Sequence, residues 1–289
     1  DGLTMFISAN SQNAVYQYTL TTAWDVSTAS YASKYHNVTQ GTSVHGLGFK
    51  TDGTVMYVAT DSNSRINQYT LSTAWDVSTA SYANKYYAGP SNIRDFAFKS
   101  DGTKLFWQHP SITYEIDLST AWDVSTASYN SVSFDVATAI GTSNNNGLFV
   151  KADGTKMFTV SSNTNSVYQF TLSTAWDLST ASYNSVSFSV SSQETSPEFV
   201  FFKPDGLKMY VGGSSGGDVN EYNVGAEAYT TSATWANSTT NSELYALQQA
   251  LTDVSFNRMD KTQLEAVTDA NHYTLGNSLD LMISLYLAS

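Results

Sequence analysis

The segment TLSTAWDVSTASY at residues 70–82 decides the fold, because the chain contains four copies of it with few changes. The other copies are TLTTAWDVSTASY from Thr19, DLSTAWDVSTASY from Asp117 and TLSTAWDLSTASY from Thr171. A second marker is an Asp-Gly pair followed, two residues later, by two apolar residues. It occurs at spacings of 51, 49, 52 and 52 residues, beginning at Asp1, Asp52, Asp101, Asp153 and Asp205. A fixed period of this length indicates a repeat architecture.

One period, residues 44–87, contains four short runs rich in Val, Ile, Tyr, Phe and Thr, separated by turn-forming residues. The Asp-Gly pair favours a hairpin, because glycine accepts a positive φ without strain. Each period is therefore predicted to be a four-stranded antiparallel meander with strands a, b, c and d. Such units bury both faces when they pack around an axis, which makes a β-propeller. A β-solenoid is the weaker alternative, because its coils usually repeat at about 20–30 residues.

The predicted fold class is all-β: a β-propeller of four-stranded blades, five of them visible, each about 50 residues long, with a small α-helical C-terminal appendage. The propeller domain is predicted over residues 1–224. The chain begins inside a repeat, so the first blade lacks strand a and we expect the natural chain to extend upstream. The ring closes through that upstream segment, through a strand from AEAYTTSATW near Tyr229, or through further blades; the sequence leaves these alternatives open.

Residues 225–289 form the second predicted unit, a linker and helical segment for oligomerisation or anchoring. Its last predicted helix, within NSLDLMISLYLAS, is apolar almost all round and so must be surrounded by other protein. Docking on the flank of the propeller is one solution, and burial against copies of itself or a neighbouring protein is the other. For self-association the predicted contact residues are Leu279, Met282, Ile283 and Tyr286.

The repeat resembles a known kind of propeller. The pattern DGTKMF followed by NSVYQFTL, within residues 153–172, resembles the YVTN-type, lactonase-like β-propeller repeat, and the tandem form YQYTLTTAWDVSTASY at 16–31 is similar to repeats of phage virion fibre and surface proteins. The likeness covers about residues 1–224. It implies a propeller fold and suggests a virion context. The Trp-Asp pair does not indicate a WD repeat, because the Gly-His partner motif is missing at the expected place.

The predicted topology separates the repeated segments from the divergent ones. The Asp-Gly hairpins and the Trp-Asp turns between strands c and d emerge on one side, which we call the scaffold face. There, blade-to-blade wedges are predicted at Trp24, Trp75, Trp122 and Trp176. The same face carries seven of the thirteen basic residues, which indicate either surface ion pairs or a docking surface for an acidic partner: Lys50, Lys99, Lys104, Lys151, Lys156, Lys203 and Lys208.

The variable b–c and d–a connections emerge on the opposite side, which we call the loop face. Amide and hydroxyl groups beside aromatic rings suit the binding of sugar hydroxyls, so this face is predicted to recognise a glycan. The plainer alternative is that these polar loops only turn the chain. The candidate ligand-binding residues are Asn10, Gln12, Asn63, Arg65, Trp107, His109, Asn144, Asn163 and Asn165.

Several functions are disfavoured by composition. A formal net charge of −12 argues against nucleic acid as a partner, and the absence of cysteine excludes thiolate chemistry. The four histidines lack zinc-site spacings, and no phosphate loop or nucleophile elbow is present, so no metal, cofactor or catalytic site is predicted. No apolar run approaches the length of about 18 residues that a membrane span needs. A lactonase-like site would use polar strand-a residues at the channel, and the available ones do not recur between blades: His45, Arg94, Asp95 and Glu198.

The predicted function is therefore that of a non-enzymatic structural and recognition protein. We expect a virion component, such as a fibre, tail or capsid-surface protein, that displays a propeller for attachment to a host surface or glycan. The expected location is the virion or the extracellular surface, with other proteins of that assembly as partners. The alternatives are a secreted bacterial adhesin with the same repeat and a lactonase-like hydrolase.

Overall fold

The computed structural model describes residues 1–224, which form five antiparallel sheets. Blade 1 contains β1 (Thr4–Ala9), β2 (Ala14–Leu20) and β3 (Ala29–Asn37); blade 2 contains β4 (Val44–Phe49), β5 (Val55–Thr60), β6 (Arg65–Leu71) and β7 (Ala80–Ala88). Blade 3 contains β8 (Asp95–Phe98), β9 (Lys104–Gln108), β10 (Ile112–Leu118) and β11 (Ala127–Asp135). Blade 4 contains β12 (Asn145–Val150), β13 (Lys156–Ser161), β14 (Ser166–Leu172) and β15 (Ala181–Ser189); blade 5 contains β16 (Pro197–Phe202), β17 (Lys208–Gly213) and β18 (Val219–Asn223).

Consecutive strands pair in every sheet, so each blade is the predicted meander. Blades 2, 3 and 4 contain strands a to d, whereas the described part of blade 1 contains strands b to d and that of blade 5 contains strands a to c. Strands a of neighbouring blades contact each other, β4 with β8, β8 with β12 and β12 with β16, and therefore lie innermost. Each core cluster joins two consecutive blades, which is the packing of a propeller.

Short helical elements lie in the connections. A 3-10 turn follows each Trp-Asp pair, at Val26–Thr28, Val77–Thr79, Val124–Thr126 and Leu178–Thr180, and another occupies the b–c loop of blade 2 at Asp61–Asn63. Helix α1 (Val136–Ile140) lies between blades 3 and 4, capped by Asp135, whose side chain accepts from the Thr138 amide at 2.9 Å. Within residues 1–224, no helix is long and apolar enough to cross a membrane.

Blade 5 meets blade 1 in the same way that consecutive blades meet. The Tyr57 hydroxyl of blade 2 donates to the Trp122 carbonyl of blade 3 at 2.6 Å. The Tyr210 hydroxyl of blade 5 donates to the Trp24 carbonyl of blade 1 at 2.7 Å, and the Trp24 indole stacks on Phe201 with ring centroids 6.4 Å apart. The five blades therefore contact each other in a closed ring, a closure that the sequence left open.

The two faces also separate as predicted. Within each blade the tryptophan amide of the c–d turn donates to the carbonyl of the hairpin glycine, for example Trp75 to Gly53 at 3.0 Å. Both repeated elements therefore lie on the scaffold face. On the loop face, the d–a and b–c connections bond to each other, as in the Asp61 amide donating to the Ser43 carbonyl at 3.0 Å.

Tryptophan and glycine are fitted to each other on the scaffold face. The four tryptophans have φ between 59° and 64°, the left-handed region that non-glycine residues seldom adopt. Each indole covers the hairpin glycine of its own blade, whose φ is 72° or 73°. A Cβ at Gly154 would lie 2.0 Å from Trp176, and one at Gly53 would lie 2.3 Å from Trp75. A side chain is thus excluded at the glycine both by its backbone conformation and by the indole.

The rest of the repeated segment holds the turn together through local hydrogen bonds. Asp76 caps the 3-10 turn, because its carboxylate accepts from the Ser78 amide at 3.1 Å and the Ser78 hydroxyl at 2.6 Å. The Thr79 hydroxyl then donates to the Asp76 carbonyl at 2.8 Å. Equivalent bonds form in the other copies, so nearly every position of the repeated segment has a structural role.

Strand c of one blade also binds the turn of the next. The amide of Val77 donates to Gln17 Oε1, and the amide of Val124 donates to Gln68 Oε1, each at 3.2 Å. In the third junction Glu115 takes the place of glutamine and accepts from the Leu178 amide at 2.8 Å. These bonds fix the angle between consecutive blades, because each acceptor is buried and its partner amide opens the 3-10 turn.

The tryptophans pack between blades, as predicted, but they are not equally buried. Trp176 contacts Phe106 of blade 3 with ring centroids 5.4 Å apart and is 6% exposed. Trp75 packs beside Phe49 and Phe6 and is 41% exposed. The predicted wedge is therefore fully formed at Trp176 and only partly buried at Trp75.

Ion pairs account for much of the charge on the scaffold face. A lysine pairs with the hairpin aspartate two positions later in four blades: Lys50 with Asp52, Lys99 with Asp101, Lys151 with Asp153 and Lys203 with Asp205, at 2.8, 2.7, 2.8 and 2.5 Å. Such exposed pairs contribute about 0–1 kcal/mol each. This arrangement favours the surface ion-pair interpretation over a docking surface.

The predicted C-terminal unit, residues 225–289, lies outside the described residues. That includes the residues predicted for self-association, Leu279, Met282, Ile283 and Tyr286, as well as the AEAYTTSATW segment near Tyr229. The helical appendage and its role in oligomerisation stay predictions.

Substitution of the two differently buried tryptophans tests the wedge packing. Trp176→Ala should lower the free energy of unfolding by about 3–5 kcal/mol, the usual cost of truncating a buried large aromatic residue. Trp75→Ala should cost clearly less, because this side chain keeps 41% of its surface exposed. Both residues have the same left-handed φ, so backbone strain cancels in the comparison. Chemical denaturation measures the two values, and equal losses would contradict the wedge packing.

Candidate binding site at the channel mouth

One position of strand a carries a polar residue in all four blades where strand a is described. Counting back eight residues from the hairpin glycine gives His45, Arg94, Asn146 and Glu198, which we call the mouth residues. Six and four residues before the same glycine, every blade has an apolar residue: Leu47 and Phe49, Phe96 and Phe98, Leu148 and Val150, and Val200 and Phe202. The mouth residues lie at the end of strand a that belongs to the loop face, beside the centre of the ring.

Irregular pairing directs these side chains. The register with strand b shifts between Val44 and Leu47, between Asn145 and Gly147, and between Pro197 and Phe199. His45, Asn146 and Glu198 lie within these shifts, where an extra residue interrupts the alternation of the strand. Such bulges commonly redirect a side chain beside a binding site.

Arg94 joins two blades at the mouth. Its Nη1 lies 2.7 Å from Asp61 Oδ2 and 3.0 Å from His45 Nε2, and both of these partners belong to blade 2. Because a guanidinium can only donate, Nε2 of His45 accepts and its ring proton lies on Nδ1. Asp61 also accepts from the Ile93 amide at 3.1 Å through its other oxygen. The aspartate therefore holds both the backbone and the side chain at the entry to strand a of blade 3.

The environment keeps the mouth histidines neutral. Burial, assisted by the charge of Arg94, lowers the pKa of His45 below its usual value. The pKa of His109, in the b–c loop of blade 3, is lowered by the same two causes. Burial raises the pKa of Glu198, and the charge of Arg94 opposes this rise. The charge of Arg94 therefore acts on all three groups, and His45 is the one that contacts it directly.

Asp95 lies beside the mouth and connects three blades. Its Oδ1 accepts from the Phe96 amide and its Oδ2 from the Leu148 amide of blade 4, both at 2.8 Å. A Cβ at Gly46 of blade 2 would lie 2.6 Å from Oδ1, so glycine makes room for the carboxyl group. Burial raises the pKa of Asp95 to about 7, although the two amide hydrogen bonds act in the opposite direction.

Two of the predicted ligand-binding residues lie at the mouth. Asn10, in the b–c loop of blade 1, places its Nδ2 3.4 Å from His45 Nε2. His109 lies close enough to Arg94 and Asp61 for their charges to influence its pKa. Blades 1, 2 and 3 thus supply the group around Arg94, and Glu198 occupies the equivalent position of blade 5.

The prediction that Trp107 binds a ligand is wrong, because its side chain is fully buried and cannot stack on a ligand. The polar sequence after Trp107 predicts a b–c loop that includes this residue, but β9 continues to Gln108. The alternation of the strand therefore directs Trp107 inward. Its indole meets Tyr87 edge to face, with ring centroids 5.8 Å apart, and covers Gly89. Its role is in the core between blades 2 and 3.

The other predicted residues are dispersed over the loop face. Asn63 stabilises its own loop, since its amide donates to the Gln40 carbonyl at 2.8 Å. The guanidinium of Arg65 lies 3.9 Å from the ring centroid of Tyr86, a cation–π contact. Gln12 is exposed and accepts from the neighbouring Ser11 hydroxyl at 2.7 Å.

Asn144, Asn163 and Asn165 lie in the loops of blade 4. The Asn144 amide donates to Asn163 Oδ1 at 2.9 Å. Asn163 borders a shallow depression of about 550 Å³, with Ala137, Thr138, Gly141, Thr142 and Ser143 as its other lining residues. Asn165 has a φ of 50° and turns the chain between β13 and β14. This group lies next to the mouth residue Asn146, whose amide donates to Ser162 Oγ in the same b–c loop at 3.2 Å.

Asn146 and Asp61 belong to the site but are not among the ligand-binding residues predicted from the sequence. The Asn146 amide donates to Ser162 Oγ at 3.2 Å and to the Pro197 carbonyl at 3.4 Å, which connects blades 4 and 5. Its position could have been found by counting back from each hairpin glycine. Asp61 gave no such indication, because its partner Arg94 is 33 residues away in the next blade.

Comparisons with solved structures support the fold. A crystal structure of a protein from Lactobacillus plantarum matches with a TM-score of 0.52 and 12% identity, covering 79% of this chain and 66% of that chain. The periplasmic gluconolactonase from Pseudomonas aeruginosa matches with a TM-score of 0.49 and 15% identity, covering 80% of this chain and 65% of that chain. The present chain thus spans slightly less than two thirds of either structure. At these identities the likeness concerns the fold alone.

No protein-family model matches the sequence, and no curated protein matches it. None of these comparisons bears on the predicted virion context.

A pH series tests the raised pKa of Asp95. The folded protein, with this pKa at about 7, retains a proton that an unfolded chain loses near its usual value of about 3.9. The contribution of Asp95 to stability therefore falls as the pH rises from about 4 to about 7. Between these values, the melting temperature of the wild type should fall relative to that of Asp95→Asn.

Asp101→Asn is the matched control, because ion pairing and hydrogen bonds hold the pKa of Asp101 at about 2, below this window. Its melting temperature should follow that of the wild type across the series. Parallel curves for the wild type and Asp95→Asn would contradict the account of Asp95.

Proposed function

We propose that this protein is a recognition propeller that binds carbohydrate on its loop face, with the channel mouth as the principal site. The supporting observation is the contrast within strand a. Equivalent core positions repeat apolar residues in every blade, whereas the mouth position carries His45, Arg94, Asn146 and Glu198. Asn146 is used inside the ring, where it connects blades 4 and 5, but His45, Arg94 and Glu198 also differ from blade to blade. This variety suits a ligand without the symmetry of the ring, because such a ligand needs a different group on each side.

The chemistry at the mouth suits hydroxyl groups. A sugar hydroxyl both donates and accepts a hydrogen bond. Arg94 and Asn10 supply donors and Asp61 supplies an acceptor around His45, all from half-buried or exposed positions. Glu198, at the equivalent position of blade 5, is a further half-buried acceptor. Hydrogen bonds to charged groups are stronger than those between neutral groups, so such a site can bind a polar ligand without a large apolar surface.

The proposed setting is a surface assembly. The near-identical scaffold segments support it, because they form a constant base for loops that differ between blades. In this setting the protein is a component of a virion, such as a fibre, tail or capsid-surface protein, attaching to a host surface. A secreted bacterial adhesin has the same requirements. The residues proposed for self-association, Leu279, Met282, Ile283 and Tyr286, would link copies of the propeller.

Hydrolysis of a sugar lactone is a second candidate function for the same site, favoured by one observation. The lowered pKa of His45 leaves its imidazole neutral at neutral pH, as a general base requires. In this reaction Nε2 of His45 exchanges its hydrogen bond with Arg94 for one with water, the water oxygen attacks the lactone carbonyl carbon, and His45 accepts the water proton. The C–O bond of the ring ester then breaks, and His45 returns this proton to the departing alkoxide oxygen. Arg94, 3.0 Å from His45, would stabilise the developing oxyanion. A gluconolactonase is among the structural neighbours.

Binding to a glycan array tests the principal proposal. The wild type should bind carbohydrate, and Arg94→Gln and Glu198→Gln should each weaken binding about 10- to 100-fold, as expected for the loss of a hydrogen bond to a charged group. Asp52→Asn provides a matched control, because it removes one carboxylate from the opposite, scaffold face. Equal binding by the control and the two mouth variants would contradict a site at the mouth.

A turnover assay with uncharged sugar lactones separates the two candidates. If the protein is a hydrolase, the wild type releases the free acid and His45→Asn loses this activity while Asp52→Asn retains it. Carbohydrate binding without lactone turnover would leave recognition as the function and remove the hydrolase candidate.

A further inference from the structure

We infer that Asp61 is a selectivity residue that makes the channel mouth prefer uncharged carbohydrates over anionic ones. This inference rests on the proposed function and names the class of ligand for the same site. The observation that supports it is the ion pair between Arg94 and Asp61.

One carboxylate balances the positive charge at the mouth. Arg94 Nη1 and Asp61 Oδ2 are 2.7 Å apart, and their side chains are 26% and 16% exposed. The histidines His45 and His109 add no positive charge at neutral pH, because their pKa values are lowered. The guanidinium of Arg94 is therefore already paired with a carboxylate before a ligand binds.

The carboxylate of Asp61 would repel an anionic ligand. A ligand carboxylate that approached Arg94 would lie close to Asp61, and like charges in a half-buried site are poorly screened by salt. The whole chain carries a formal charge of −12, which further lowers the local concentration of anions. A hydroxyl group can bond to the remaining N–H groups of Arg94 without either cost. The pairing thus retains a donor for the ligand while removing the attraction for anions.

The charge of Asp61 can be removed while its hydrogen bonds to the backbone are kept. Its amide donates to the Ser43 carbonyl at 3.0 Å, and its Oδ1 accepts from the Ile93 amide at 3.1 Å. Asparagine has the same shape and retains an oxygen for the Ile93 amide. Asp61→Asn therefore removes the charge opposite Arg94 and keeps the connection between blades 2 and 3.

The experiment compares neutral oligosaccharides with their uronic-acid counterparts by calorimetry, using the full chain. The wild type should bind the neutral sugar at least about tenfold more tightly than the uronate. Asp61→Asn should raise the affinity for the uronate by about tenfold, and most of this gain should persist in added salt because the site is half-buried. Asp52→Asn, with the same change of charge on the scaffold face, should leave the ratio of affinities unchanged. Arg94→Gln added to Asp61→Asn should abolish the gain, because the unpaired cation is then gone.

The outcomes distinguish this inference from the function on which it depends. If both sugars bind at the mouth but the wild type prefers the uronate, or if Asp61→Asn and Asp52→Asn shift the ratio equally, the selectivity role is wrong and carbohydrate binding stands. If neither sugar binds, the proposed function fails and the inference fails with it. A gain in uronate affinity confined to Asp61→Asn would support the role of Asp61.

Discussion

The packing of each tryptophan on the hairpin glycine of its own blade is the contact on which the propeller depends. It closes the scaffold end of the sheet, places the c–d turn, and sets the indole where it meets the preceding blade. The tryptophan adopts a left-handed backbone, with φ near 60°, so that its amide can reach the glycine carbonyl. A non-glycine residue in this region costs energy, and the buried aromatic contact compensates for it.

This dependence explains which parts of the fold could be predicted from the sequence. Asp-Gly and Trp-Asp recur because each needs the other, and their regular spacing gave the blade count, the strand order and the two faces. The exposure of Trp75 could not be predicted in this way, because it depends on the packing of Phe6 and Phe49 at one junction. The same repeated sequence therefore packs differently at different junctions.

Fewer residues of the candidate site than of the fold could be predicted from the sequence, for physical reasons. Alternation along a strand predicts the direction of a side chain only where the pairing is regular, and the mouth position lies where the pairing is irregular. Trp107 was misassigned because the polar sequence after it indicates a loop, although the ladder of β9 extends to Gln108. The pair formed by Asp61 and Arg94 joins two blades, so only the assembled ring brings the two residues together.

The irregular pairing at the start of strand a has a consequence for how this surface can change. The side chains at this position also connect neighbouring blades, Arg94 to Asp61 of blade 2 and Asn146 to the Pro197 carbonyl of blade 5. A mutation there therefore changes the chemistry of the surface and a contact between two blades at once. Divergence of this surface calls for compensating changes in adjacent blades, so its residues should vary in pairs rather than singly.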